Sequence, residues 1–171
     1  MIKLLRTTEY GLVALKHMSR KGEVELTSAR EVAEAYGFPF EITAKTLLRL
    51  KDTGLIESAQ GARGGYRLSA ALLEATSLGE FLEMMEGPQG VVGCTEGRNS
   101  LDEGERPAPF CEYHSRCEIK HVMGTLQDRV WGFLKGIRLS ELTHFENKTV
   151  APDLGGASPV SIALGFSGGE P

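Results

Sequence analysis

With 171 residues, 41% of them apolar and 25% charged, the chain has the composition of an ordinary globular protein of one domain with an appendage. No apolar run approaches the ~18 residues of a membrane span, and the opening Met-Ile-Lys-Leu-Leu-Arg leads into a charged segment rather than a secretory signal. The net charge of −4 is uneven: residues 1–70 carry eleven Lys and Arg against eight Asp and Glu, and residues 71–171 carry eight against fifteen, which suits a basic nucleic-acid module joined to an acidic remainder.

The first predicted helix runs from Thr7 to about Arg20 on a stripe of Tyr10, Val13, Ala14 and Met18, with Leu12 and Leu15, and Gly22 ends it. Ser28-Ala-Arg-Glu31 is a capping box that opens a short second helix, with Ala29, Val32, Ala33 and Tyr36 at helical spacing and Gly37 as its stop. Pro39 is placed to begin a third helix reaching Thr53, with Leu47, Leu48 and Leu50 as core contacts. Two helices joined by Gly37-Phe38-Pro39 have the layout of a helix-turn-helix. A strand from Leu55 to Ala59, a turn at Gly61–Gly65 and a returning strand from Tyr66 form a hairpin directly behind it, which is a wing. The expected fold class is therefore mainly α with a small β-hairpin, a winged helix-turn-helix over residues 1–76.

A second capping box, Ser77-Leu-Gly-Glu80, opens a helix through Leu78, Phe81, Leu82 and Met85 that stops at Gly87-Pro88. After a long loop, a helix predicted from about Glu118 to Gly136 carries Ile119, Val122, Met123, Leu126, Val130, Phe133, Leu134 and Ile137 on one face. That stripe is too long for the small winged domain to cover and is most simply buried against a second copy, making this the dimerisation helix of a homodimer. Residues 77–146 form this second part. From 147 to 171 the chain is Gly-, Ser- and Pro-rich, the composition of a disordered tail.

For DNA reading, the third helix would present its first turns to base edges in double-stranded DNA. Lys45 can donate to guanine, Glu41 can accept from cytosine, and Ala44 can touch a thymine methyl. Arg63 at the hairpin tip suits a minor groove or a phosphate, and Ser28 and Arg30 begin the preceding helix, whose backbone N–H groups suit a phosphate.

The loop from Gly87 to about Ser115 holds Cys94 and Cys111, with Cys117 at its end, and offers little core to bury them. Loops this long in compact domains are usually functional or disordered. An odd, sparse cysteine count argues against a disulfide scaffold and for a reducing compartment, the cytoplasm. A metal centre is the leading use of three soft ligands. Structural zinc usually shows close C-x₂₋₄-C pairs, whereas sixteen residues separate Cys94 from Cys111 and five separate Cys111 from Cys117. Iron–sulfur clusters accept wide spacing, which leaves [2Fe–2S] or [4Fe–4S] open. The alternatives are a disulfide switch between Cys111 and Cys117, structural zinc, a nucleophilic Cys117 with His121, and a scaffold that uses the winged helix for protein contacts. The nucleophile reading lacks an orienting group and a substrate cleft, so the chain is expected not to be an enzyme.

The chain resembles the Rrf-two (Rrf2) family of bacterial winged-helix regulators over about residues 1–143. The resemblance rests on Thr8-Glu-Tyr-Gly-Leu-Val-Ala-Leu, on Leu50-Lys-Asp-Thr-Gly-Leu-Ile, and above all on the wing Gly61-Ala-Arg-Gly-Gly-Tyr-Arg-Leu. Met85-Glu-Gly, the three cysteines and Leu139-Ser-Glu-Leu add to it. It implies a homodimer on a palindromic operator, with an iron–sulfur cluster near the dimer helices sensing redox state, nitric oxide or iron. It also implies Glu9 as a fourth ligand supplied across the dimer, the place where the family's nitric-oxide sensor has a carboxylate. His121 and His114 are the next choices, because Lys120 stands where the family's iron–sulfur assembly regulator has a histidine. Gln60 also departs from the usual arginine before the wing.

Overall fold

The computed structural model describes residues 4–61, 64–95, 111 and 113–144. Arg63, loop residues 96–110 and the tail from 147 onward lie outside them. In chain order the elements are α1 (Arg6–Lys21), α2 (Ala29–Tyr36), α3 (Phe40–Asp52), β1 (Ile56–Ala59), β2 (Gly65–Leu68), α4 (Ala70–Ala75), α5 (Leu78–Glu86), α6 (Lys120–Gly136) and α7 (Leu139–His144). Two single-turn 3-10 helices, Gly93–Thr95 and His114–Arg116, stand between α5 and α6. No helix among the described residues is long and apolar enough to cross a membrane.

Local chemistry sets the helix-turn-helix. The Ser28 hydroxyl accepts from the Glu31 amide at 3.1 Å and the Glu31 carboxylate accepts from the Ser28 amide at 3.4 Å, so two otherwise orphaned donors are satisfied. Gly37 closes α2 at φ 66°, a left-handed conformation that costs glycine little. Pro39, at the N-cap rather than inside α3, fixes the entry angle. Phe38 in this turn stacks on Tyr10 of α1 with ring centroids 3.9 Å apart, tying the turn to the first helix.

The wing is an antiparallel pair in register from Ile56 opposite Leu68 to Ala59 opposite Gly65. Thr27 adds a bridge to Tyr66 through two backbone hydrogen bonds of 2.8 Å. Gly65 has no room for a side chain, since a Cβ there would stand 2.9 Å from the Thr27 carbonyl oxygen.

One core joins Leu15 and Met18 of α1, Val32 of α2, Leu47 and Leu50 of α3, Leu55, Ile56 and Leu68 of the hairpin, Leu73 of α4, Phe81 and Met85 of α5, and Leu139 of α7. The last of these is notable, because α7 follows the long helix yet packs on α1 and α4. Its return is stitched by Leu78 N–H to Ile137 C=O at 2.7 Å and by Leu139 N–H to Thr76 C=O at 3.0 Å.

Two expectations need correction. Leu48 is not a core contact but 49% exposed, because it points away from Thr43, Thr46, Leu47 and Leu50, which make the buried face of α3. Helix α4 has no counterpart in the sequence reading. The buried residues of α6 are Gly124, Gln127 and Trp131, while Ile119, Val122, Leu126 and Phe133 of the predicted stripe are left exposed on the single chain.

The capping boxes also set an acid sensitivity. The Ser77 amide and hydroxyl hold the Glu80 carboxyl below the usual range, against burial, with Arg138 and Lys135 adding to the effect. Burial of Glu31 acts the other way, but hydrogen bonds from Lys21 and His17 outweigh it and its pKa is lowered as well. A carboxyl with a depressed folded pKa holds fewer protons folded than unfolded, so stability rises with pH across that window and is lost on acidification. Thermal melts should therefore show stability falling as pH drops below the ordinary carboxyl value of 4.5. Glu80→Gln should flatten part of that slope; an unchanged slope would refute the assignment.

Candidate functional site

The DNA-facing candidates gather around the helix-turn-helix. Glu41, Ala44 and Lys45 lie off the buried face of α3, the two charged residues exposed and Ala44 half-buried. Ser28 caps α2 and spends its oxygen on the Glu31 amide, leaving its O–H free to donate. Arg30 lies with its guanidinium carbon 5.9 Å from the centre of the Phe40 ring, which bridges the N-terminal parts of α2 and α3. Phe40 was not among the sequence candidates, yet it opens α3 at 51% exposed. Its signal was present in the sequence: an aromatic directly after the helix-opening proline, off the leucine face.

The cysteines lie in the segment between α5 and α6. Cys94 sits in the Gly93–Thr95 turn, Cys117 directly follows the His114–Arg116 turn, and all three thiols are free and half-buried. The segment leading to Cys94 hangs on Gln127 of α6, which is 1% exposed. The Gln127 Oε1 accepts from the Val91 amide at 2.7 Å, and its Nε2 donates to the Gln89 carbonyl at 3.3 Å. Thr95 closes the turn by donating its hydroxyl to the Val92 carbonyl at 2.9 Å. Sequence reasoning missed Gln127, which looks like any polar residue in a helix.

Glu9 lies in the first turn of α1, exposed and 3.7 Å from Arg6. His121 is exposed on α6, and the His114 side chain lies outside the described set. Among the described residues no three His, Cys, Asp or Glu side chains converge on one point. Three free thiols fit iron–sulfur chemistry as a donor set. Among the described residues their placement does not assemble a site within one chain.

A cavity of about 370 Å³ lies beside this anchor, lined by Leu4 ahead of α1, Leu82 and Glu86 of α5, Val91, and Gln127, Val130, Trp131 and Leu134 of α6. The Glu86 carboxylate accepts from the Leu5 amide at 2.8 Å, so the start of α1 is tied to the end of α5 at the same place.

A helix-turn-helix, a wing and a cysteine-bearing excursion that returns to the DNA-binding core form one arrangement, and it agrees with the comparisons. The model of the Rrf2 family, described as iron-dependent transcriptional regulators, matches residues 4–144. The chain belongs to the Rrf2 family. It is a DNA-binding transcriptional regulator, not an enzyme. It is 28% identical over 142 residues to the transcriptional repressor NsrR of Streptomyces coelicolor, covering 81% of this chain and 88% of that protein. To NsrR of Bacillus subtilis it is 27% identical over 122 residues, 71% and 77% of the two chains. In fold it is similar to CymR, the global cysteine regulator of B. subtilis, at a TM-score of 0.60 and 24% identity, covering 84% of this chain and 97% of that one. It is also similar to T. potens IscR, at a TM-score of 0.55 and 20% identity, covering 82% and 85%.

Proposed function

We propose that this Rrf2 regulator binds a palindromic operator as a homodimer, and that its DNA affinity is set by an iron–sulfur cluster held by Cys94, Cys111 and Cys117, with Glu9 supplied by the second copy. The observation that carries this is the set of three free, half-buried thiols between α5 and α6. A bound cluster supplies an iron centre that reacts with oxidants and nitric oxide. The remaining parts belong to the chain. Residues 1–76 read DNA, through Ser28, Arg30, Glu41, Ala44, Lys45 and Arg63, and residues 77–146 sense and dimerise, with 147–171 as a tail. The exposed row of Ile119, Val122, Leu126 and Phe133 on α6, 40–59% exposed, is the face that a second copy covers. Glu9 stands one residue from Tyr10, whose ring stacks on Phe38 in the helix-turn-helix, so a pull on the first turn of α1 reaches the DNA-reading helix through one contact. A hundredfold change in operator affinity requires only ~2.7 kcal/mol of such coupling. The setting is the cytoplasm, where the operator is.

The test is an absorption spectrum with iron and acid-labile sulfide analysis on protein purified without oxygen. Broad visible bands with near-equal iron and sulfide are expected, and Cys111→Ser should lose them. Colourless, iron-free protein after anaerobic reconstitution would sink the proposal. The half-exposed Cys111 and Cys117, five residues apart, carry a second reading, a disulfide switch without iron. Mass spectrometry after mild peroxide would then find a two-hydrogen loss confined to that pair. Structural zinc would appear as bound zinc in colourless protein.

A further inference from the structure

Helix α3 leaves six of its first nine residues off its buried face, Phe40, Glu41, Ile42, Ala44, Lys45 and Leu48, at helix positions 1, 2, 3, 5, 6 and 9. At four-residue spacing all but Ile42, 38% exposed, sort into two parallel rows on the helix surface. One is charged, Glu41 and Lys45. The other is apolar, Phe40, Ala44 and Leu48, with Phe40 51% and Leu48 49% exposed. A single exposed apolar residue needs no explanation; a row of them on a DNA-reading helix, beside exposed Lys45, Arg49 and Lys51, does.

We infer that the Phe40–Ala44–Leu48 row reads C5-methyl groups of thymine in the major groove, and that Phe40 also props the Arg30 guanidinium for an adjacent phosphate. The thymine methyl is the apolar feature among the donors and acceptors that base pairs show there, so an apolar row has one chemistry to match. From Phe40 to Leu48 the helix rises ~12 Å, and at 3.4 Å per base step the row spans about three to four steps. Each half-site thus holds two methyl-sensitive positions, one under each end of the row. The Phe40 ring lies under the guanidinium at 5.9 Å and limits the freedom that phosphate contact would otherwise have to remove. The inference rests on α3 being the helix that enters the groove.

The experiment takes the full chain, selects its operator from random duplexes, and replaces each thymine in turn by uracil, which removes only the methyl. Affinity is read by fluorescence anisotropy at one fixed salt concentration. Two positions in each half-site should weaken about fourfold, the worth of one buried methyl. Phe40→Ala should erase the penalty at one position and Leu48→Ala at the other, while Phe40→Leu retains part of it. Both side chains are exposed, and circular dichroism confirms that the variants fold. Uracil penalties that persist unchanged in both alanine variants, or that occur nowhere, overturn the inference. Lys45→Ala separates the two levels. If it weakens binding while the uracil penalties ignore Phe40 and Leu48, the apolar row alone fails. If it leaves operator affinity and salt dependence unchanged, α3 is not the reading helix and the wider reading fails with it.

Discussion

Phe81→Ala should destabilise the protein by about 3–5 kcal/mol, the usual cost of emptying a buried phenylalanine site. Phe81 is fully buried in the core that unites α1, α3 and α5. Its neighbours show how close the packing is: a Cβ added to Gly11 of α1 would stand 3.3 Å from the Phe81 ring and 3.4 Å from the Met85 methyl. Gly11 lets α1 approach α5 at this point, and the ring fills the space so created. The loss should appear as a midpoint lowered by roughly 10–20 °C in thermal melts. Leu48→Ala, on the exposed side of α3, should move the midpoint by little more than 1 °C. Equal effects from the two substitutions would contradict the placement of α3.

Gln127→Leu should cost about 2–3 kcal/mol and should act where the cysteines are. The substitution leaves the Val91 amide without its 2.7 Å acceptor and the Gln89 carbonyl without its 3.3 Å donor. Unpaired groups of this kind pay desolvation with no return. The chain's remedy is to let residues 89–95 leave α6 and meet water. Hydrogen exchange at Val91 should accelerate by at least tenfold, and iodoacetamide should alkylate Cys94 faster than in the parent, while the Thr27 and Tyr66 amides, paired with each other beside the wing, keep their protection. Unchanged exchange at Val91 in a folded variant would show that Gln127 does not hold this segment.

The fold was largely legible in the sequence because most of its boundaries are chemical and local. Both capping boxes form as their spacing predicts, and Gly37 takes the left-handed position that ends α2. The misreadings share a different origin. Thr43 and Thr46 are buried because their hydroxyls donate to carbonyls one turn back, Pro39 at 3.0 Å and Ile42 at 2.8 Å, so the polar atom is satisfied inside the helix. A hydrophobicity pattern ranks Leu48 above both and therefore misplaces the face. Helix α4 has a Ser69 N-cap that makes no side-chain bond; its Ala70 amide is held instead by Glu23 at 2.9 Å, from 47 positions earlier. Gln127 likewise earns its buried place through a partner 36 positions away. In the candidate site, residue types picked out the DNA-contact candidates and the cysteines, whereas the Arg30–Phe40 pair and the Gln127 anchor depend on which segments meet in space.

Trp131, 5% exposed at the junction of α5 and α6, is also the chain's only tryptophan. The protein therefore contains its own optical gauge, located where the cysteine-bearing excursion meets the DNA-binding core. Light absorbed above the range of nucleic-acid bases excites this indole alone, without labels and without interference from a bound operator. Any rearrangement of the long helix against α5 becomes a change in one emission band, readable on the millisecond scale in unmodified protein.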